Sequence, residues 1–216
     1  MKDIAIYGAG GFGKEVACLI QRINGYSNNS TWRIIGFFDD GKELGCQISH
    51  YGKVIGGINE LNDWDKPLDI VIAIGSPKVI KIVQNKIHNS NINYPNIIDP
   101  SFYIVDNCSF SIGRGNIIQG LGSVSCDTKI GDFNVLNGGI VIGHDTIIGN
   151  YNVIMPGSRI SGEVNMGNCN YLGVHSVILQ QMKMGNNVTL GAGSVLMTKP
   201  KDGGVYIGVP AKRFKF

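Results

Sequence analysis

The sequence predicts a mixed fold: a small Rossmann-like α/β unit followed by a parallel β-helix of hexapeptide repeats. Three observations predict it. Short apolar strands alternate with helical segments through the first 95 residues. From Ile112 onward an aliphatic residue or Met recurs every six positions without a slip. Glycine is abundant, 31 in 216 residues, with no collagen-like period of three, so the chain is rich in tight turns.

In the first region, residues 3–7, 33–38 and 69–74 read as strands and residues 13–23 and 79–87 as helices. Val16, Leu19, Ile20 and Ile23 give the first helix its apolar face. Strands alternating with helices argue for a small parallel sheet with helical crossovers. Polar residues 89–93, with Pro95 and Pro100, mark the boundary, dividing the chain into 1–95 and 96–216.

In the second region the keyed residues are Ile112, Ile118, Val124, Ile130, Leu136, Ile142, Ile148, Ile154, Ile160, Met166, Leu172, Ile178, Met184, Leu190 and Leu196. No helical period of 3.6 gives this series. Six is a multiple of the strand period of two, so every keyed residue can face inward. Gly113, Gly131, Gly149, Gly167 and Gly185 follow keyed residues at a spacing of eighteen, and Gly173 and Gly191 repeat it on another side. Eighteen means three hexapeptides per coil, hence a triangular prism. The position four after the key is mostly small or β-branched (Thr128, Thr146, Ser158, Val164, Ser176, Val188, Ser194), which suits a narrow interior. Fifteen hexads give five coils, stacked at about the 4.8 Å strand separation.

Composition narrows the function classes. The net charge is +3 with no long basic run, so a nucleic-acid footprint is missing. The start does not read as a signal peptide, and no apolar stretch reaches the ~18 residues of a membrane span. The five cysteines, Cys18, Cys46, Cys108, Cys126 and Cys169, contain no CxxC pair. They read as reduced thiols in a cytoplasmic protein. His144 and His175 are 31 residues apart, not a multiple of eighteen, so they do not stack and no metal cluster is expected.

Chemistry concentrates at Ile142-Gly143-His144-Asp145. Imidazole is the natural general base at neutral pH, and an adjacent carboxylate can fix its tautomer. Neighbours on a strand point to opposite faces, so this pairing requires a turn at a prism corner. Gly162, eighteen residues on, falls one coil along the same edge, where its N–H could serve a carbonyl oxygen gaining charge. Cys126, eighteen residues before, offers a covalent alternative. At the front, Tyr7-Gly8-Ala9-Gly10-Gly11-Phe12-Gly13 fits GxGxxG between a strand and a helix, and Asp39 and Asp40 close the second strand. A nucleotide-sugar site and an NAD site both fit these residues. A non-catalytic scaffold also remains open.

With those residues in view, the chain resembles the bacterial sugar acyltransferases of the sialic-acid O-acetyltransferase and UDP-4-amino-sugar N-acetyltransferase type. The resemblance rests on the run Ile6–Gly13, on Phe38-Asp39-Asp40, Ala73-Ile74-Gly75 and the His144-Asp145 hexad, and on the ending Gly208-Val209-Pro210-Ala211-Lys212-Arg213. It implies a left-handed β-helix and a homotrimer binding acetyl-CoA between neighbouring helices, with no metal. It implies that His144 is the base, supported by Asp145. It maps acetyl-CoA contacts onto Gly162, Val174 and Ala192, and a nucleotide-sugar or sialic-acid acceptor, from cell-surface polysaccharide synthesis, onto Gly10, Gly11, Phe12, Asp39, Asp40 and Gly75. Two positions depart from the family pattern. Val153 stands where many members have a second histidine, and Phe12 stands where many have histidine in the first loop.

Overall fold

The computed structural model describes residues 1–26 and 31–215. The chain divides into two compact units, Met1–Asp99 and Pro100–Phe216.

The first unit runs β1 (Lys2–Tyr7), α1 (Gly11–Tyr26), β2 (Trp32–Phe38), β3 (Val54–Gly56), α2 (Ile58–Asn62), β4 (Leu68–Ile72), α3 (Pro77–Lys86) and β5 (Ile92–Asn93). Its sheet is parallel throughout, in the order β3-β2-β1-β4-β5. Ile4 and Ile6 of β1, Phe37 and Phe38 of β2 and Ile70 of β4 are fully buried, as are Val16 and Ile20 of α1. Burial of this apolar area is the main stabilising term for the unit. The helix expected at 13–23 starts two residues earlier and runs three further, and β4 stops at Ile72 rather than 74. β3, β5 and α2 are additional elements. With two to five residues each, they are too short to show a period in sequence. The strand order reverses between β1 and β4, so the β1–α1 loop and residues 73–75 meet at the carboxyl edge, the usual ligand crevice of such sheets.

The second unit is a left-handed parallel β-helix. From Ser111–Ile112 to Val195–Leu196 its strands are two residues long, and the second residue of each is a keyed residue. Every keyed side chain from Ile118 to Leu196 is at most 4% exposed. Strands pair in parallel with the residue eighteen positions on, as in Ser123↔Val141↔Arg159↔Val177↔Val195. The stack extends past the fifteen hexads. Tyr103–Ile104 pairs with Ser123–Val124 at one end, and Val205–Ile207 adds to the stack at the other before pairing antiparallel with Lys212–Phe214. From Tyr103 to Ser111 the interval is eight residues, so a count by six misses that first strand.

Each corner turns through one residue in the left-handed region, three positions after the key. These are Gly115, Leu121, Asp127, Phe133, Gly139, Asp145, Tyr151, Gly157, Glu163, Cys169, His175, Gln181, Asn187 and Gly193, with φ between 53° and 72°. None is β-branched, the class of side chain for which this conformation is most strained.

One corner carries a buried polar ladder. Asn116, Asn134, Asn152 and Asn170 are fully buried and spaced by eighteen. Asn134 Oδ1 accepts from the Asn152 N–H at 2.9 Å and from Asn152 Nδ2 at 3.0 Å; Asn152 Oδ1 repeats this with Asn170. Asn152 Nδ2 also donates to the Gly167 carbonyl at 3.0 Å, and Asn170 Oδ1 receives the Val188 N–H at 2.8 Å. The ladder satisfies interior backbone groups that no strand bond reaches. A more exposed ladder lies on the same corner. Asn150 Oδ1 accepts from Asp132 N–H, Asn168 Oδ1 from Asn150 N–H and Asn186 Oδ1 from Asn168 N–H, at 2.7, 2.7 and 2.8 Å.

Asn152→Ala orphans buried donors and acceptors on two coils. It is expected to lower unfolding free energy by about 1–3 kcal/mol. Asn168→Ala, where water can replace the side chain, should lose distinctly less in the same urea titration. Equal losses would show that the buried ladder is not the stabilising one.

Candidate active site

His144 and Asp145 sit at a different corner, and the corner makes their pairing possible. Asp145 takes the left-handed turn, φ 55°, so its carboxylate swings back beside the preceding imidazole. Nδ1 of His144 lies 2.7 Å from Asp145 Oδ2. A carboxylate only accepts, so Nδ1 carries a proton, and in the neutral ring Nε2 is then the acceptor. Both side chains are half-exposed.

The next coil supplies the floor. A Cβ placed on Gly162 would lie 2.6 Å from His144 Nε2 and 2.7 Å from Cε1. The ring therefore rests on Gly162, and a Cβ there would push it out of this position. Among the described residues no protein acceptor takes the Gly162 N–H. The equivalent N–H groups of Arg114, Asp132, Asn150 and Asn168 on the asparagine corner all bond to a side chain of the following coil. The base lone pair and an unspent backbone donor thus share one edge, a pairing suited to removing a proton while an oxygen gains charge.

Cys126 lies one coil before His144, half-buried. Its carbonyl accepts the Asp145 N–H at 3.1 Å, and its sulfur has only a long 3.9 Å contact from Ser125 Oγ. Val174 and Ala192 are exposed on the third corner, and their N–H groups also lack a protein acceptor among the described residues. Val153 is fully buried.

In the α/β unit the glycines of the first loop divide into two kinds. Gly8, at φ 110°, and Gly13 have no room for a side chain: a Cβ on Gly8 would lie 2.6 Å from the Ala73 carbonyl, and one on Gly13 would collide with the Gly8 carbonyl. Gly10, Gly11 and Gly75 face open space, with nothing within 4 Å of a built Cβ. Their bareness has no packing cause; at Gly10 and Gly11 it leaves backbone open at the α1 N-terminus, and at Gly75 just before α3. Phe12 is half-buried on the first turn of α1.

Asp39 and Asp40 are engaged by the protein itself. Asp39 accepts the Ala9 N–H at 2.7 Å and the Gly41 N–H at 2.9 Å. Asp40 accepts the Tyr7 hydroxyl at 2.7 Å and the Ile58 N–H at 2.8 Å. Burial, then the Asp40 carboxylate, push the Tyr7 phenol far above its usual range, so it remains a donor. The pair ties the glycine loop to the segment after β2 and the start of α2. Two clefts flank this knot. One of about 280 Å³ is lined by Gly10, Gly11, Lys14, Lys42, Gln47 and Ser49; the other, about 300 Å³, by Asp39, Asp40, Lys42, Gly57, Asn59 and Glu60 among others. Lys14 and Lys42 escaped the sequence reading, although each lies within three residues of a residue it singled out. Gly75 lines neither cleft. Among the described residues no group of three or more His, Cys, Asp and Glu could hold a metal, and no helix is long and apolar enough to cross a membrane.

An α/β unit followed by a left-handed β-helix with a histidine on its edge is the architecture that the sequence resemblance implies. Comparison with known proteins tests it. The PglD N-terminal domain family matches residues 3–87. The acetyltransferase domain of PglB from Neisseria gonorrhoeae, solved in complex with acetyl coenzyme A, is 28% identical, with 99% of each chain covered and a TM-score of 0.85. PerB from Caulobacter crescentus, solved with CoA and GDP-perosamine, is 24% identical over 100% of this chain and 98% of its own, at a TM-score of 0.85. WeeI from Acinetobacter baumannii is 24% identical over 99% and 100%, at 0.86. No curated protein sequence matches. The chain is thus similar in fold along its whole length to a bacterial sugar acetyltransferase domain, and in its first 87 residues to the PglD N-terminal domain.

Substitution of the two kinds of loop glycine should separate them. Gly13→Ala, which drives a methyl into the Gly8 carbonyl, is expected to cost about 1–3 kcal/mol of stability. Gly10→Ala should leave the melting temperature within a degree or two. A Gly10→Ala melt depressed as far as that of Gly13→Ala would refute the distinction.

Proposed function

We propose that the chain transfers the acetyl group of acetyl-CoA to an amino or hydroxyl group of a sugar, directly and by general-base catalysis, with no acyl-enzyme at Cys126. The observation that carries this is the His144 ring, oriented by Asp145 and resting on Gly162, whose N–H has no other acceptor among the described residues. The donor set fits a thioester: an accepting nitrogen for the proton and an uncapped N–H for the oxygen. Acetyl-CoA, when bound, supplies an acyl carbon with a good leaving group.

In this reading, His144 Nε2 removes the proton from the attacking sugar group. Asp145 holds the ring in that tautomer and stabilises the imidazolium. The Gly162 N–H donates to the thioester oxygen as charge builds there. The proton on Nε2 then passes to the departing sulfur. The α/β unit recognises the acceptor, a nucleotide-linked sugar or sialic acid, through the open backbone at Gly10 and Gly11, with Phe12, Gly75 and the loops held by Asp39 and Asp40.

The reading includes a homotrimer in the cytoplasm, acting in cell-surface polysaccharide synthesis. A corner argument supports the oligomer. Gly162 stands twelve residues before Val174, two hexads and not three, so the two occupy different corners of one prism; Ala192 shares the Val174 corner. One acetyl-CoA touching all three needs corners from two chains.

His144→Ala is expected to cut turnover by roughly 10²–10⁴-fold in an assay of CoA thiol release with a verified acceptor. Asp145→Ala should cost less, because the imidazole remains. Near-full activity in His144→Ala, or acetylated enzyme formed without acceptor and lost in Cys126→Ala, would sink the direct mechanism.

A further inference from the structure

Three of the four histidines have a partner for Nδ1: Ser49 Oγ for His50, the Lys86 carbonyl for His88 and Asp145 for His144. Among the described residues neither ring nitrogen of His175 has one, and the side chain is exposed. His175 takes a left-handed turn, φ 55°, on the corner of Val174 and Ala192. The column of turns there reads Leu121, Gly139, Gly157, His175 and Gly193, so glycine serves the fold at three of its five positions. The ring folds back over the coil before it: a Cβ built on Gly157 would collide with the imidazole. An aromatic ring that the turn does not require thus lies beside the Val174 N–H, which also lacks a protein acceptor among the described residues.

The ring stands at the level of the candidate active site. His175 follows Gly162 by thirteen residues, and Gly157 precedes it by five. With coils about 4.8 Å apart, the ring between them brackets Gly162 in height to within about 3.5 Å. His144 folds the opposite way, over Gly162 from the coil before. The two imidazoles therefore share a level and occupy different corners of one prism. The separation of 31 residues that forbids stacking within a chain leaves them free to meet between chains. A rotation axis running along the prisms keeps all copies at equal height. Where Gly162 of one copy and Val174 of the next touch one acetyl-CoA, the two rings flank the same groove.

We propose that His175 of one chain completes the acyl-donor site of its neighbour, binding a secondary amide of the pantetheine arm together with the Val174 N–H. The proposal rests on the trimer and on the reading of His144 as the base. An amide brings one carbonyl and one N–H. The Val174 N–H donates to the carbonyl, and a nitrogen of the neutral imidazole accepts the N–H. His175 acts on donor binding and moves no proton of the reaction.

The test combines titration calorimetry with CoA and turnover by CoA thiol release, with the acceptor used for His144→Ala. His175→Gly, which suits the turn, is expected to weaken CoA binding and raise KM for acetyl-CoA by roughly three- to tenfold, with kcat held within about twofold. His175→Asn keeps an acceptor and suits the turn, and should restore part of the affinity. The decisive species is a trimer of one His175→Gly chain and two His144→Ala chains, isolated through different tags. Its only base belongs to the His175→Gly chain, whose neighbour supplies His175, so the KM for acetyl-CoA should return to the wild-type value. A KM as high as that of the His175→Gly trimer, or an unchanged CoA affinity in His175→Gly, overturns the proposal and leaves His144 as the base. A monomeric wild-type protein overturns it as well. Wild-type protein that neither binds CoA nor releases thiol with any acceptor overturns the acetyltransferase reading with it.

Discussion

An L-amino acid forced to φ near +60° at every sixth position is the constraint on which the β-helix depends. The strands are only two residues long, and neither their length nor their local pairing would hold a sheet together. The repeated left-handed turn bends the backbone at the same point in each hexad and closes three hexads into one coil. Closure at eighteen residues then fixes everything vertical. Each residue stands on its equivalent one coil away, so side chains form columns, and a column can share one chemistry. Non-glycine residues hold ten of these fourteen turns. Each costs about 1–2 kcal/mol on steric grounds, offset by the keyed apolar side chains that the turn buries.

The three corners share a backbone and differ in what fills the columns. At the asparagine corner, side-chain amides cap the N–H groups of successive coils, so the edge is internally saturated. At the His144 corner the equivalent column reads Cys126, His144, Gly162, Gln180, and the cap is missing where the imidazole lies. A glycine there serves two purposes. It makes room for the ring, and it leaves a backbone donor that no side chain has claimed. Unspent donors lie where the repeat stops satisfying itself, at this corner and at Val174 and Ala192 on the third, which the saturated corner makes visible by contrast.

Much of this was legible in the sequence because the period is rigid. Six-residue keys mark the strand positions, and an eighteen-residue coil is enough to set His144 beside Gly162. The two-sidedness of His144-Asp145 demanded a turn, and the turn is there. What escaped notice had no local signal. The buried asparagines look like polar residues that belong outside, and the column that pairs them appears only when every third hexad is aligned. The left-handed positions hold Leu, Phe, Tyr, Glu and Gln as well as Gly and Asp, so composition does not mark them. In the α/β unit, β3 and β5 are too short to alternate, and the segment between β2 and β3 carries half the cleft lining without a recognisable motif.

Asp39 and Asp40 illustrate how a motif can be located correctly and its physical role still need structure. Sequence placed two carboxylates at the end of β2, where a ribose-binding acid would stand. Their four oxygens instead receive three backbone N–H groups and a phenol. A carboxylate accepting two donors can accept more, so ligand contact is compatible with this arrangement. Its first effect is nevertheless on the protein, since Ala9 immediately precedes the two open glycines and its N–H is fixed by Asp39. Free loop glycines gain conformational entropy that any ligand must remove. Anchoring Ala9 on one side, while the collision-tight Gly13 locks the other, removes most of that freedom in advance. The open backbone at Gly10 and Gly11 is thus held between two fixed points, and the aspartates act on the protein first by fixing that loop.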